Sequence, residues 1–111
     1  MAQANEVIKD RYEALKAFLL ALGDDVQIKE LKNYIAFKRI RNFACIEFSP
    51  QAGKIYAYIK VNPGSVNIIE GFTRDVRNIG HWGTGDLEIT IISDDDIERA
   101  KPLLARSYEI N

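Results

Sequence analysis

The fold is decided by residues 54–61, which read Lys-Ile-Tyr-Ala-Tyr-Ile-Lys-Val. Successive side chains of a β-strand point to opposite faces, so this alternation predicts a strand with one apolar face. The apolar face consists of every second residue: Ile55, Ala57, Ile59 and Val61. The other face carries Lys54, Tyr56, Tyr58 and Lys60. The lysines on that second face indicate that it is at least partly exposed to water.

Strand patterns also occur on both sides of this segment. They cover residues 26–29, 34–38, 42–48 and 87–92. Ala52-Gly53 predicts a hairpin turn that joins 42–48 to 54–61, and Asn62-Pro63-Gly64-Ser65 predicts a further turn.

Two amphipathic segments flank the strands and predict helices. In the first, apolar residues recur at helical spacing: Ile8, Tyr12, Leu15, Leu19 and Leu22. Gly23 predicts the end of this helix. Ser93 predicts the N-cap of a C-terminal helix, because its hydroxyl can accept a backbone N–H and three aspartates follow it. Pro102 lies inside this second helix and predicts a kink or an interruption.

Together these elements predict one α+β domain over residues 1–111. Its two layers are a mostly antiparallel sheet of four to five strands and an N-terminal and a C-terminal helix packed on it. The single cysteine, Cys45, excludes an intramolecular disulfide and favours a reducing compartment. The longest apolar run, 17–22, is far shorter than the roughly 20 residues of a membrane span, and no signal peptide is recognisable. We therefore expect a cytoplasmic protein without membrane contact.

The connection 62–85 shows no strand pattern, and connections of this length are usually functional or conceal an element. Phe72, Val76 and Ile79 lie at i, i+4 and i+7, which predicts one or two helical turns at 73–78.

Residues 80–86 read Gly-His-Trp-Gly-Thr-Gly-Asp. Three glycines let a backbone adopt positive φ angles and approach other groups closely. Two interpretations of His81 and Trp82 stay open: they shape a binding pocket, or Trp82 fills the core and His81 pins the loop.

Several strings resemble an uncharacterised prokaryotic domain family that is often labelled "predicted transport protein". They are Tyr34-Ile35-Ala36-Phe37-Lys38, Asn42-Phe43-Ala44, Arg74-Asp75-Val76 and the glycine-rich string at 80–86. The similarity covers nearly the whole chain. The resemblance implies a C-terminal module of larger proteins, some with a nuclease-like domain ahead of it, so that a nuclease-like domain or protein is an expected partner. It implies no established activity.

No catalytic, metal or cofactor site is predicted. A zinc site needs about four ligands, and the chain has one Cys and one His. Neither a Gly-x-x-x-x-Gly-Lys-Ser/Thr nor a Gly-x-Gly-x-x-Gly phosphate loop occurs. A dyad of His81 with Asp75 or Asp86 stays open as an alternative, although it lacks an evident nucleophile.

Positive charge is concentrated in the middle of the chain. Residues 26–82 hold nine basic and four acidic side chains, although the net charge of the chain is −1. Basic side chains at loop tips neutralise phosphates, and tyrosines between cations suit stacked bases. We therefore expect a non-catalytic accessory domain that contacts nucleic acid phosphates. The residues of this predicted site are Lys38, Arg39, Arg41, Arg74 and Arg77, with Tyr56, Tyr58, His81 and Trp82 beside them.

The alternative is a protein–protein interaction or small-ligand-binding module, including a homodimer through the open sheet face. The two hypotheses differ in geometry. Contact with a polyanion requires that the arginines converge with His81 on one side, beside Tyr56 and Tyr58, without carboxylate partners of their own.

Overall fold

A computed structural model describes residues 6–79 and 85–111, in which six strands form one antiparallel sheet. The strands are β1 (Gln27–Glu30), β2 (Ile35–Lys38), β3 (Asn42–Ser49), β4 (Lys54–Ile59), β5 (Thr73–Asp75) and β6 (Leu87–Ile91). The helices are α1 (Glu6–Ala21) and α2 (Asp94–Ile110). The strand order is β1-β2-β3-β4-β6-β5, and every neighbouring pair is antiparallel. The predicted α+β class is confirmed, whereas the predicted number of four to five strands is wrong.

The strand that the sequence pattern did not reveal is β5, in the segment predicted to be helical. Thr73 pairs with Ile89 and Asp75 pairs with Leu87 at the edge of the sheet. Phe72 belongs to the core beneath the helices, whereas Val76 belongs to a cluster on the opposite face. The helical turns predicted at 73–78 are therefore wrong. The strand was not recognised in the sequence because three residues are too few to show an alternation.

Both helices pack on the same side of the sheet, which we call the inner face. The inward residues of β4 and β6 are fully buried: Ile55, Ala57, Ile59, Leu87, Ile89 and Ile91. The helices contribute Ile8, Tyr12, Leu15 and Leu19 from α1 and Ile97, Ala100 and Leu104 from α2. This single apolar cluster explains the alternation of residues 54–61, since it buries every second residue of β4.

The C-terminal helix begins where its cap predicts. The hydroxyl of Ser93 accepts a hydrogen bond from the backbone N–H of Asp96 at 3.2 Å. The helix then runs without interruption through Pro102 to Ile110, so the predicted interruption is wrong. A proline removes one intrahelical hydrogen bond, and here Ala100 and Leu104 hold the helix to the core on both sides of it.

A buried serine fixes α2 to the end of the β3–β4 ladder. The hydroxyl of Ser107 donates to the carbonyl of Phe43 and accepts from the N–H of Lys60 at 3.1 Å. It satisfies two backbone groups that the ladder leaves open beyond the pair Ala44–Ile59. Within the described ranges, neither helix is long and apolar enough to cross a membrane.

Candidate binding cleft on the outer sheet face

The face of the sheet opposite the helices, the outer face, carries a row of polar side chains across three adjacent strands. The register places Tyr58 of β4 opposite Glu88 of β6, and Glu88 opposite Arg74 of β5. The Tyr58 hydroxyl and Nη2 of Arg74 both donate to Oε2 of Glu88, each at 2.9 Å. Hydrogen bonds of this charged kind are among the stronger ones in proteins. Tyr58 thus fixes the carboxylate, and the carboxylate fixes the guanidinium.

The row is buried at one end and exposed at the other. The Glu88 side chain is 7% exposed, whereas the Arg74 side chain is 56% exposed. Burial, followed by the hydrogen bond to Glu88, raises the pKa of Tyr58 far above the ordinary tyrosine value. The hydrogen bond to Glu88 also raises the pKa of Arg74. At neutral pH Tyr58 is therefore a protonated phenol and Arg74 a guanidinium.

A cleft of about 390 Å³ opens beside this row. Its lining includes Lys54, Tyr56, Tyr58, Arg74, Glu88 and Thr90. Two cationic side chains therefore border the cleft, against one carboxylate that is already bonded to Arg74. The volume lies within the range of roughly 300–1,000 Å³ that small-molecule sites occupy. The cleft combines the size of a ligand pocket with an excess of positive charge.

A small apolar cluster supports the row from the side. Ala36, Cys45 and Val76 are buried around Tyr58 on the outer face. The side chain of Cys45 has no solvent exposure. These small side chains leave room for the phenol ring, which in turn positions its hydroxyl over Glu88.

The glycine-rich segment meets the sheet at Gly85. A Cβ atom there would lie 2.8 Å from the backbone nitrogen of Ile59 and 2.8 Å from the carbonyl carbon of Tyr58, and φ is +150°. The next residue, Asp86, donates its N–H to the carbonyl of Ile59 at 2.9 Å. The predicted close backbone approach is confirmed at this glycine. The predictions for His81 and Trp82 concern residues 80–84, which lie outside the described residues.

Three residues of the predicted site lie together in this cleft: Tyr56, Tyr58 and Arg74. Arg39 lies elsewhere, against α2. Its Nε donates to Asp25 at 2.8 Å, and its guanidinium stacks 4.6 Å from the ring centroid of Tyr108. The Tyr108 hydroxyl donates to the same carboxylate at 2.7 Å. The Tyr108 bond, with that of Arg39, holds the pKa of Asp25 below its usual range. Arg39 thus joins a turn to a helix and does not project as a free loop-tip cation.

The remaining predicted cations are also dispersed. Arg77 donates to Asp75 at 2.7 Å in a local pair. Arg41 is exposed and Lys38 is half-buried, and neither forms an ion pair with any residue of 6–79 or 85–111. The convergence of free arginines that the polyanion hypothesis requires is absent, because Arg39, Arg74 and Arg77 each pair with a carboxylate. Whether any of these residues contacts nucleic acid stays a prediction.

Sequence reasoning did not single out Glu88, the centre of the row. Its only signal in the sequence is that a carboxylate lies between Leu87 and Ile89 of a predicted strand, at a position that alternation assigns to the outward face. Recognising its role requires the register between β4 and β6, which a connection of more than twenty residues conceals. In the described part of the chain, no group of three or more His, Cys, Asp or Glu side chains could hold a metal ion.

A family model described as a domain of unknown function, DUF5655, matches residues 1–111. The chain belongs to the DUF5655 family. An uncharacterised protein of Haemophilus influenzae is 36% identical over 109 residues, which cover 98% of this chain and 35% of that protein. The DUF5655 chain therefore spans about a third of the length of this relative. No solved structure matches the DUF5655 chain.

Proposed function

We propose that this DUF5655 chain is a non-catalytic accessory binding domain that holds an anionic group, a phosphoryl or a carboxylate, in the outer-face cleft. The observation that carries the proposal is the row Tyr58–Glu88–Arg74. Arg74 uses Nη2 to contact Glu88, and no other hydrogen bond of its guanidinium occurs among the described residues. A half-exposed guanidinium, with donors that bond to no other described residue, therefore borders the cleft.

The chemistry of the row favours an anion over other ligands. A guanidinium presents its donors in a rigid fork that matches phosphate and carboxylate oxygens. Because the buried Glu88 already orients this fork, less conformational freedom is lost when a ligand binds. Lys54 adds a second positive charge on the same cleft. A cationic ligand would meet both charges, and Glu88 is too buried to compensate for them.

An accessory role is supported by the length of the relative, of which this chain matches 35%. The resemblance to modules that follow nuclease-like domains suggests that such a domain is the partner. A reducing compartment such as the cytoplasm suits a chain whose single cysteine, Cys45, cannot form an intramolecular disulfide.

The proposal is tested by calorimetric titration of the chain with phenyl phosphate and with benzoate at low ionic strength. Arg74→Gln should lower the affinity for the better ligand at least tenfold, because it removes the oriented fork. Arg106→Gln, which removes the same charge from an exposed position on α2, should change the affinity less than twofold. Equal losses in the two variants would indicate unspecific charge attraction, and no binding by the parent would exclude the proposal.

A second candidate is contact with nucleic acid phosphates through the turn between β2 and β3. The observation that favours it is exposure: Ile40 is 81% exposed, and Arg41 beside it has no ion pair among the described residues. Anisotropy titrations with single- and double-stranded oligonucleotides should show a log–log salt slope that falls by about 1–2 in Lys38→Gln/Arg41→Gln. An unchanged slope would remove the turn from the interface. Arg39 is left intact in this variant because it supports Tyr108.

A further inference from the structure

We infer that the ligand of the cleft carries two phosphoryl groups, one bound at Arg74 and one at Lys54, joined by a nucleoside that lies over Tyr56. This inference rests on the proposed function, since it assigns a ligand class to the same cleft. It goes further by giving Lys54 a second anion subsite.

The sheet register sets the two cations at opposite ends of the cleft. Lys54 lies four residues before Tyr58 on β4, and residues on one face of a strand are spaced by roughly 7 Å, which separates the two by roughly 14 Å along the strand. Arg74 lies in the row of Tyr58 but two strands away, roughly 10 Å across the sheet. Both side chains nevertheless line the same cleft. A ligand with two separated anionic groups can therefore place one group at each end of this diagonal.

The two cations differ in their chemical surroundings. Arg74 is pinned by Glu88 and presents a planar fork. Lys54 is half-buried and forms no ion pair within residues 6–79 and 85–111, so its ammonium is available as a point charge. The first site suits a terminal phosphoryl group held by two donors, and the second suits any phosphate oxygen within reach.

The space between the cations is lined by an aromatic ring and a hydroxyl. Tyr56 lies opposite Thr90 in the pairing of β4 with β6, and both line the cleft. A half-buried tyrosine ring offers a face on which a nucleobase can stack, as bases do on aromatic side chains of single-strand binding proteins. The hydroxyl of Thr90 can donate to or accept from a sugar hydroxyl. The order phosphate site, ring and hydroxyl, phosphate site is that of a nucleoside with a phosphoryl group at each end.

This chemistry has two sources, a free nucleoside bisphosphate and a short single-stranded nucleic acid. The test compares adenosine 5′-monophosphate, adenosine 3′,5′-bisphosphate and a 5′-phosphorylated trinucleotide by calorimetry. In the parent chain the bisphosphate should bind at least tenfold more tightly than the monophosphate. A trinucleotide that binds at least tenfold more tightly than the bisphosphate identifies the strand as the source, and one that binds no more tightly identifies the free molecule.

The variants separate the two subsites. Lys54→Gln should lower the affinity for the bisphosphate about tenfold and change that for the monophosphate less than twofold, whereas Arg74→Gln should weaken both. Lys29→Gln is the matched control, because Lys29 is an exposed lysine in register with Ala36 on the far side of the outer face. It should leave both affinities within twofold. Unfolding midpoints of all variants verify that they fold.

Two results would overturn the inference. One is a bisphosphate that binds no more tightly than the monophosphate, and the other is a Lys54→Gln variant that weakens both ligands equally. Failure of the proposed function is a different result: the parent then binds neither ligand, or Arg74→Gln is without effect.

Discussion

The two faces of the sheet are built from the same strands and differ in what their side chains do. The contrast is sharpest in β6, where Leu87 and Ile89 are fully buried in the apolar core beneath the helices. Glu88 lies between them, points to the other face and is almost as buried, yet it is bonded to Tyr58 and Arg74. One strand thus supplies both core and candidate site, because alternation separates the two sets of residues.

This difference shows what the proposed binding role would explain, since stability alone does not require the polar row. Replacing a buried ion pair by apolar residues is often neutral or stabilising, since desolvation offsets much of the attraction. The inner face contains no comparable row among its described residues and forms a continuous apolar cluster. Under the proposed function, the buried Glu88 orients the exposed Arg74 guanidinium for a ligand.

The largest effect is expected on the inner face. Ile89→Ala should lower the free energy of unfolding by about 2–5 kcal/mol, because it leaves a cavity in a fully packed core. Its neighbour Thr90 is half-buried on the outer face, and Thr90→Ala should cost less than about 1 kcal/mol. Urea denaturation of both variants measures the difference. Equal losses would contradict the assignment of the two faces.

The buried carboxylate of the outer face should rank second. Glu88→Ala removes the carboxylate that accepts the hydrogen bond of the buried Tyr58 hydroxyl, which should cost about 1–3 kcal/mol of unfolding free energy. Glu88→Gln keeps an acceptor and should cost less. Both variants should also weaken anion binding, because Arg74 loses its charged anchor. A Glu88→Ala variant with unchanged affinity for the anion would contradict the claim that Glu88 positions Arg74 for binding.

Alkaline pH should lower the free energy of unfolding, because each face of the sheet contains a buried tyrosine. Burial raises the pKa of Tyr12 on the inner face to about 12, and burial with the Glu88 bond raises the pKa of Tyr58. A tyrosine whose pKa is higher in the folded state contributes its full stabilisation below the unfolded-state pKa of about 10. This contribution is lost as the pH rises through the folded-state pKa. Unfolding free energy should therefore be level from pH 7 to about 9.5 and fall above it. In Tyr58→Phe the decline should be shallower, and an identical decline would exclude the Tyr58 contribution.

The smallest effect is expected at the local pair of Arg77 and Asp75, whose side chains are 50% and 39% exposed. Arg77→Gln should change the unfolding free energy by less than about 1 kcal/mol, because exposed pairs gain little in water. Thermal denaturation at low and high salt is the measurement. A loss as large as that of Glu88→Ala would mean that exposure does not rank the ion pairs of this chain.

Much of the fold was predictable because local patterns specify it. The alternation of residues 54–61 predicted β4 within two residues, and the helical stripe from Ile8 predicted α1. Ser93 predicted the start of α2, since a cap acts within one turn. β5 could not be predicted, because a three-residue strand at the edge owes its existence to pairing with β6 rather than to its own pattern.

The candidate site was predictable only in part. The tyrosines of the outer face and Arg74 were expected in a common site, and the structure brings Tyr56, Tyr58 and Arg74 into one cleft. The partners of Arg74 and Arg39 were not predictable, because they come from distant segments. Glu88 follows Arg74 by 14 residues, and Tyr108 follows Arg39 by 69. Such pairings depend on tertiary structure, and a local charge run such as 38–41 carries no information about them.

The most direct measurement is an ¹⁵N-resolved NMR titration of the chain with phenyl phosphate. The account predicts that the largest amide shifts occur at the outer-face cleft, in 54–58, 72–74 and 88–90, and that they disappear in Arg74→Gln. Shifts confined to the turn 38–41 or to the helices, or shifts that persist undiminished in Arg74→Gln, would contradict it.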